Sequence, residues 1–269
     1  MLERIEGILR SFAAADSKTR WVRRKVANRL ARRPIAVAWR EFMERLPGEQ
    51  RINEAFDRRY GTDTAEEVPL VEAGVSAEAA DRGNRMYRPL WEDAFHATLA
   101  ALDMDFEGFT FVDIGSGKGK VLMMAADYPF SRIVGVEYSP LLHAIAQRNL
   151  AIYSSPGQRC TDLSSVEADA CEYRLPPGPL VCLNFNSLDA GTLKRFVRHV
   201  EDGLESRDTP AYLLVCNVRH IGEMGDALDD VRKLRRLAVS TKLVVLGNSA
   251  AARKWRERDR SRRKGLEIR

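Results

Sequence analysis

The sequence predicts a doubly wound, mostly parallel α/β sheet that follows a helical N-terminal extension. From about Thr110 onward, short apolar segments alternate with segments of helical periodicity, which is typical of a parallel sheet. Two of the apolar segments end in an acid, Asp113 and Glu137, and the first continues into a glycine-rich turn. Because ligands of such sheets bind at the carboxyl ends of the strands, we expect the functional site at that edge.

The strands are predicted from the apolar segments between turn residues. They are Thr110–Asp113, Ile133–Glu137, a short strand near Val166, Leu180–Leu183, Tyr212–Val218 and Lys242–Leu246. The helix after the second strand is expected to begin at Ser139 as N-cap with Pro140 in the first turn. A seventh strand is not evident in the sequence: it is either hidden near 250–255 or missing.

The turn from Asp113 to Lys120 reads D-I-G-S-G-K-G-K. Its spacing departs from the dinucleotide fingerprint G-x-G-x-x-G, because Lys120 stands where the third glycine is required. A P-loop is excluded too, because its pattern requires a glycine at Ile114 and a hydroxyl at Val121. The acid before the turn would repel a pyrophosphate, whereas it suits a cationic ligand.

The remaining pattern, D-x-G-x-G-x-G, resembles motif I of the class I S-adenosylmethionine (SAM) methyltransferases, over about Tyr87 to Gly247. Within that superfamily the turn and the G-V-E second strand are most similar to the non-SET, histone-type lysine methyltransferases and to uncharacterised bacterial relatives of lysine methyltransferases. The resemblance implies a seven-stranded Rossmann-like sheet that ends in an antiparallel hairpin. It also implies SAM as the cofactor.

The resemblance further implies roles for single residues. Glu137 would take the ribose hydroxyls of SAM, and Asp169 would bind the adenine amino group. Asn184 and Phe185, after the fourth strand, are the predicted catalytic residues: Asn184 would orient an acceptor amine and Phe185 would wall its channel. The predicted cofactor-binding residues are Tyr87, Asp113, Gly115, Ser116, Gly117, Gly119, Glu137, Tyr138, Asp169, Ala170 and Asn184. We predict no metal ligand.

The acceptor itself stays open at this stage. A protein lysine follows from the resemblance alone. A nucleic-acid methyltransferase, with its basic termini as grips, is the alternative, although the motif [DNS]-P-P-[YFW] of the amino-methyltransferases is absent. A SAM-binding protein without turnover is a third possibility. The glycine spacing disfavours an NAD-dependent enzyme.

We predict three regions along the 269 residues. Residues 1–84 form a helical extension and loop, 85–250 the SAM-binding domain, and 251–269 a basic C-terminal tail. The net charge is +5, and its excess lies at the two ends, which could hold nucleic acid or be a solvated surface. The segment Gly61–Ala80 is expected to be a loop, or a mobile cover over the site.

The composition also indicates the cellular compartment in which the protein is expected. The four cysteines form no C-x-x-C pair and have no histidine at metal spacing, so we interpret them as reduced. The N-terminus lacks the apolar segment of a signal peptide, and no apolar run approaches the roughly 20 residues of a membrane helix. These features predict a cytoplasmic protein without a membrane span.

Overall fold

The computed structural model describes residues 49–76, 86–216, 228, 231–239 and 243–267. The predicted helices and basic residues before residue 49 lie outside these ranges, as does part of the predicted loop Gly61–Ala80. The described helices are α1 (Glu49–Tyr60), α2 (Glu92–Leu102), α3 (Lys120–Ala125), α4 (Pro140–Ile152), α5 (Ala190–Glu205) and α6 (Ser249–Glu267). None of them is long and apolar enough to cross a membrane.

A seven-stranded sheet forms the centre of the fold. Its strands are β3 (Thr110–Ile114), β4 (Arg132–Glu137), β5 (Leu163–Glu167), β6 (Leu180–Phe185), β7 (Ala211–Cys216), β8 (Arg235–Val239) and β9 (Leu243–Gly247). They are arranged in the order β5-β4-β3-β6-β7-β9-β8. The first five are parallel, and β9 runs antiparallel to β7 and β8. A short antiparallel pair, β1 (Val68–Pro69) and β2 (Met86–Tyr87), stands apart from this sheet.

Helices cover both faces of the large sheet, as a doubly wound fold requires. Phe111 packs with α2 and α3 on one face, whereas its neighbour Val112 packs with α5 on the other. The strand order reverses between β3 and β6, and at such a point a crevice opens outside the carboxyl ends of the strands. The predicted fold class is confirmed.

The prediction at the C-terminal edge was wrong in its strand count. The strand predicted as the sixth is β9, the seventh strand of the large sheet in chain order, and the missed strand is β8. Two exposed arginines, Arg235 and Arg236, begin β8, and a bulge between Arg236 and Ala238 breaks its alternation. An edge strand of this composition has no clear period-2 pattern. The antiparallel hairpin implied by the resemblance is therefore present.

The predicted C-terminal tail begins inside α6. Ala251 and Ala252 of this helix are buried, and Trp255 packs against the core on the α2 side of the sheet. The Arg258 guanidinium lies 3.7 Å from the centre of the Trp255 ring and donates to the Leu102 carbonyl. The first half of the segment is thus packed against the domain. All four cysteines are free, as predicted.

Asn248 joins α5, β7, β9 and α6, and we predict that Asn248→Ala lowers the free energy of unfolding by about 3 kcal/mol. Its side chain is fully buried. Its Nδ2 donates to the main-chain carbonyls of Leu204, Arg207 and Thr209, from the end of α5 to the segment before β7. Its Oδ1 accepts from the backbone N–H groups of Ala211 and Ala251. Urea denaturation measures the change. Arg58→Ala, which removes only an exposed pair with Glu54, should cost less than about 0.5 kcal/mol; equal losses would contradict the assignment.

Candidate active site

A cavity of about 870 Å³ lies at the carboxyl ends of β3, β4 and β6. Most of the residues predicted from the sequence line it, although they come from separate strands and loops. These are Tyr87, Asp113, Gly115, Ser116, Gly117, Glu137, Tyr138, Asp169, Ala170 and Phe185. Gly119 and Asn184 do not line it.

The glycine turn passes between two side chains that leave no room for a Cβ atom. Gly115 and Gly117 have φ values of 72° and 54°, in the left-handed region that favours glycine. A Cβ at Gly115 would lie 2.1 Å from the Ser187 Cβ, and one at Gly117 would lie 2.3 Å from the Tyr87 ring. Both glycines are therefore required by backbone conformation and by space.

Gly119 has a different role from its two neighbours. Its φ is 83°, and a Cβ there would lie 3.2 Å from the Cβ of Ala146 on α4. This glycine permits close packing between the start of α3 and α4. The structure therefore places it in the support of the turn, behind the cavity wall.

The Glu137 carboxylate fixes the turn to the end of β4. One of its oxygens accepts from the Gly117 amide at 2.7 Å, and the other accepts from the Ser139 amide at 2.8 Å. Burial raises the pKa of Glu137, and the backbone hydrogen bonds partly oppose that rise. Ser139 is the N-cap of α4, as predicted, since its side chain accepts from the Leu142 amide.

Asp113 is the least compensated carboxylate of the cavity. Its side chain is only 2% exposed, and in the part of the chain that the structure describes we find no hydrogen bond to it. Burial, and then the charge of Glu137, hold the pKa of Asp113 well above its usual range. A cation or hydrogen-bond donor in the cavity would relieve this cost.

The predicted acceptor residues Asn184 and Phe185 separate onto opposite faces of the sheet. β6 continues beyond Leu183 and includes both residues, and side chains alternate along a strand. Phe185 therefore shares the face of Asp113 and lines the cavity. Asn184 is fully buried, where its Nδ2 donates to the Ser187 hydroxyl. The structure does not support Asn184 as a residue that contacts a cofactor or an acceptor.

Tyr138 and Asp169 lie at the end of the cavity formed after β4 and β5. The Tyr138 side chain is 56% exposed. Asp169 accepts from the Cys171 amide at 2.8 Å, and the guanidinium of Arg195 lies 4.0 Å from it. Ala170 is buried beside them. This end therefore combines an accessible aromatic ring with a carboxylate whose position is fixed by the backbone.

Residues 49–76, called the cover, lie over the glycine turn. Asp63 pairs with Lys118 at 2.8 Å. The side chain of Asn149, on α4, bonds to the main chain of both the cover and the turn. Its Oδ1 accepts from the Asp63 N–H, and its Nδ2 donates to the carbonyls of Asp63 and Lys118, each at 2.9 Å. The Tyr87 hydroxyl donates to the Thr64 carbonyl at 3.0 Å. The cover thus forms one wall of the cavity.

Sequence reasoning missed the residues that hold the cover and close the cavity near β6. Asn149 and Asp63 are 86 positions apart, so no local pattern connects them. Asn186 and Ser187 also line the cavity. One indication of this part of the site was present in the sequence, an asparagine, Asn186, directly after a strand. Asparagine tolerates the left-handed backbone conformation, and Asn186 adopts it here with a φ of 51°.

Comparisons with known proteins gave distant structural similarities. No family model and no curated protein sequence matches this chain. Among solved structures it is similar to a precorrin-6y C5,15-methyltransferase from Geobacter metallireducens, at 20% identity over 58% of this chain and 87% of that chain, with a TM-score of 0.41. A magnesium protoporphyrin IX methyltransferase from Synechocystis with bound SAM gives 14% identity over 58% and 77%, with a TM-score of 0.40.

A third similar structure is a SAM-dependent methyltransferase from Geobacter sulfurreducens in complex with S-adenosyl-L-homocysteine. It is 20% identical over 45% of this chain and 46% of that chain, with a TM-score of 0.33. Similarity at this level does not carry an activity over to this chain.

The raised pKa of Asp113 predicts how stability depends on pH. The folded state retains this proton at pH values where the unfolded state, with the ordinary aspartate pKa of 3.8, has lost it. The stabilisation is therefore complete below that value and is lost as the pH rises through the folded-state pKa. We expect Asp113→Asn to reduce this decrease in the free energy of unfolding with rising pH and to be more stable than the wild type at pH 7. Urea denaturation from pH 4 to 8 measures both effects.

The control for this prediction is Asp208→Asn, which removes the same charge from an exposed position. It should leave the pH dependence almost unchanged. Equal pH dependence in the wild type and the Asp113 variant would show that burial of this carboxyl does not penalise its ionisation.

Proposed function

We propose that this chain is a SAM-dependent methyltransferase. The observation that carries the proposal is the pair of buried carboxylates, Asp113 and Glu137, at the carboxyl ends of adjacent strands on either side of a glycine turn. SAM presents a sulfonium, an amino group and two ribose hydroxyls, and it has no phosphate. Carboxylates favour each of those cationic and donor groups.

The charge of the cavity supports SAM over a phosphate-bearing nucleotide. Among the described residues, its lining carries six carboxylates, Glu66, Glu67, Asp113, Glu137, Asp169 and Asp189, and three basic side chains, Arg88, Lys120 and Arg195. Arg88 is paired with Glu67 at 3.2 Å, and Arg195 lies 4.0 Å from Asp169. A pyrophosphate would therefore meet a surplus of negative charge. The buried Ser116 hydroxyl has no partner among the described residues, so it can bond to a ligand.

The residues present fit SAM at several positions. The Glu137 oxygens accept from the Gly117 and Ser139 amides, and the Tyr138 amide also bonds to this carboxylate. A carboxylate has about four lone-pair sites, so capacity remains for a ribose hydroxyl. In this proposal Asp113 faces the amino group of the methionine part. Tyr138 covers the adenine, and Asp169, with Ala170 beside it, binds the adenine amino group. Gly115 and Gly117 let the backbone approach the ligand.

When bound, SAM supplies a methyl group on a sulfonium that needs no further activation. The protein's task is then to align the acceptor and to exclude water. Phe185, Trp91 and Tyr87 are aromatic and line the cavity, so they can wall an acceptor channel. We propose an amine acceptor, with a protein lysine as the candidate, because such walls favour its neutral, nucleophilic form by desolvation. Asn184 has no part in this proposal.

The test is transfer of a radiolabelled methyl group from SAM into a cell lysate, sorted into protein, nucleic acid and small molecules. Label in protein, located on lysine by peptide mass spectrometry, is the expected result. Label in RNA or DNA would replace the proposed acceptor with the nucleic-acid alternative. SAM binding without label anywhere would support a non-catalytic binding protein, and absence of SAM binding would overturn the proposal.

We predict that Gly117→Ala weakens binding of S-adenosylhomocysteine at least about tenfold, equivalent to about 1.4 kcal/mol. The new methyl group must displace the Tyr87 ring, and the turn that carries the Gly117 amide to Glu137 must shift. Isothermal titration calorimetry measures the affinity.

Gly178→Ala is the matched control for this substitution. Gly178 has a φ of 84°, but a Cβ there meets nothing within 4 Å. It therefore imposes similar backbone strain, about 1–2 kcal/mol, far from the cavity. Weakened binding in the control as well would attribute the effect to global destabilisation, and unchanged binding in Gly117→Ala would place the ligand elsewhere.

A further inference from the structure

Lys120 brings a buried amine to the wall of the cavity. Its side chain is 2% exposed, and the residue lines the cavity. The Nζ atom donates to the Asn53 Oδ1 at 2.6 Å and lies 5.0 Å from the centre of the Phe56 ring. In the described ranges of the chain, no carboxylate forms an ion pair with it. A protonated amine in this position is therefore poorly compensated.

Lys118, two positions earlier, has a different environment. It is equally buried, yet its Nζ pairs with the Asp63 carboxylate at 2.8 Å and the residue does not line the cavity. Its role as a link between the turn and the cover is sufficient to explain it. Lys120 has a neutral amide as its hydrogen-bond partner, and the residue lines the cavity where a ligand would bind.

The charged groups around Lys120 come from the two helices packed against it. The pKa of Lys120 is lowered to about 8, mainly by burial. The negative charges of Glu92 on α2 and Asp57 on α1 partly oppose this decrease, whereas the positive charge of Arg59 on α1 adds to it. Both the neutral and the charged amine are consequently populated near neutral pH. Asn53 can hold one N–H of the neutral amine and leave its lone pair available.

Two aromatic residues of the cavity lining lie away from the end proposed for adenosine, and Lys120 is close to one of their elements. Glu137, Tyr138 and Asp169 follow β4 and β5, on one side of β3. Phe185 ends β6, on the other side of β3, and Trp91 directly precedes α2, whose Glu92 acts on the charge of Lys120. This second end of the cavity is walled by aromatic rings. It is the end at which an acceptor can approach without displacing the adenosine.

We propose that the Lys120 Nζ accepts the proton that an amine acceptor must lose before it can be methylated, with Asn53 as its positioning residue. This inference rests on the proposed function and deepens it. The neutral Lys120 amine takes a proton from the acceptor ammonium, which regains its lone pair, and Lys120 becomes an ammonium. That proton later passes to water. No histidine is among the described residues that line the cavity, and an ordinary carboxylate is a much weaker base than an amine.

The first test measures the amine itself and needs no acceptor. Trace acetylation with acetic anhydride across pH 6 to 11, followed by mass spectrometry, reports the titration of each lysine. The Lys120 amine should become reactive with a midpoint near pH 8, well below that of an ordinary lysine. A midpoint at the ordinary value would overturn the proposal and leave the SAM proposal intact.

The second test compares Lys120→Ala with the wild type in methyl transfer to the lysate. Transfer by the wild type should rise with pH to a plateau, with a midpoint near pH 8. The variant should bind S-adenosylhomocysteine, lose about 100-fold in transfer rate, and regain part of that rate when methylamine is added to fill the space. Rescue by a free amine would not follow if Lys120 only supported the fold.

Lys118→Ala is the matched control, because it removes a buried lysine of the same turn. Its transfer rate should keep the wild-type pH midpoint and should not respond to methylamine. Equal pH profiles in the wild type and Lys120→Ala, or absence of rescue, would overturn the role of Lys120 alone. Absence of SAM binding and of any transfer by the wild type would overturn both proposals.

Discussion

The hydrogen bond from the Gly117 amide to the Glu137 carboxylate is the contact on which the geometry of the site depends. It joins the turn after β3 to the end of β4 at 2.7 Å, while the other carboxylate oxygen holds the amide of Ser139, where α4 begins. A single buried side chain therefore fixes a turn, a strand end and a helix start. A carboxylate has about four lone-pair sites, so these backbone bonds leave capacity for a ligand.

The turn is held from the other side by the cover. Asn149 binds the main chains of Asp63 and Lys118, and Lys118 also pairs with the Asp63 carboxylate. The Asn149 and Lys118 side chains are buried, whereas the Asp63 side chain is 54% exposed, so water competes with these contacts only from the Asp63 side. The cavity wall on the side of α1 is thus built into the packed structure, and it sets which groups face a ligand. Asn53 and Lys120 meet across this junction.

The cavity wall combines buried acids with a buried base. Asp113 and Glu137 are held close together at the ends of neighbouring strands, and burial raises the pKa of both. Lys120 is a buried base on the side of α1, where burial lowers its pKa. Each arrangement costs stability in the absence of a ligand, and each is relieved by a partner of suitable charge or protonation state. Perturbed groups that share one cavity are typical of a functional site.

The sequence by itself determined the parallel sheet, the edge where the site lies and the exclusion of phosphate-binding turns, because these depend on local periodicity and on glycine spacing. Only the tertiary structure decided what non-local packing controls. β8 is an edge strand with two exposed arginines, so burial did not mark it in the sequence. β6 extends past Leu183, and this small difference in strand length places Phe185 in the cavity and Asn184 beneath the opposite face. The contacts of the cover join residues as far as 86 positions apart, a distance at which no sequence pattern predicts a contact.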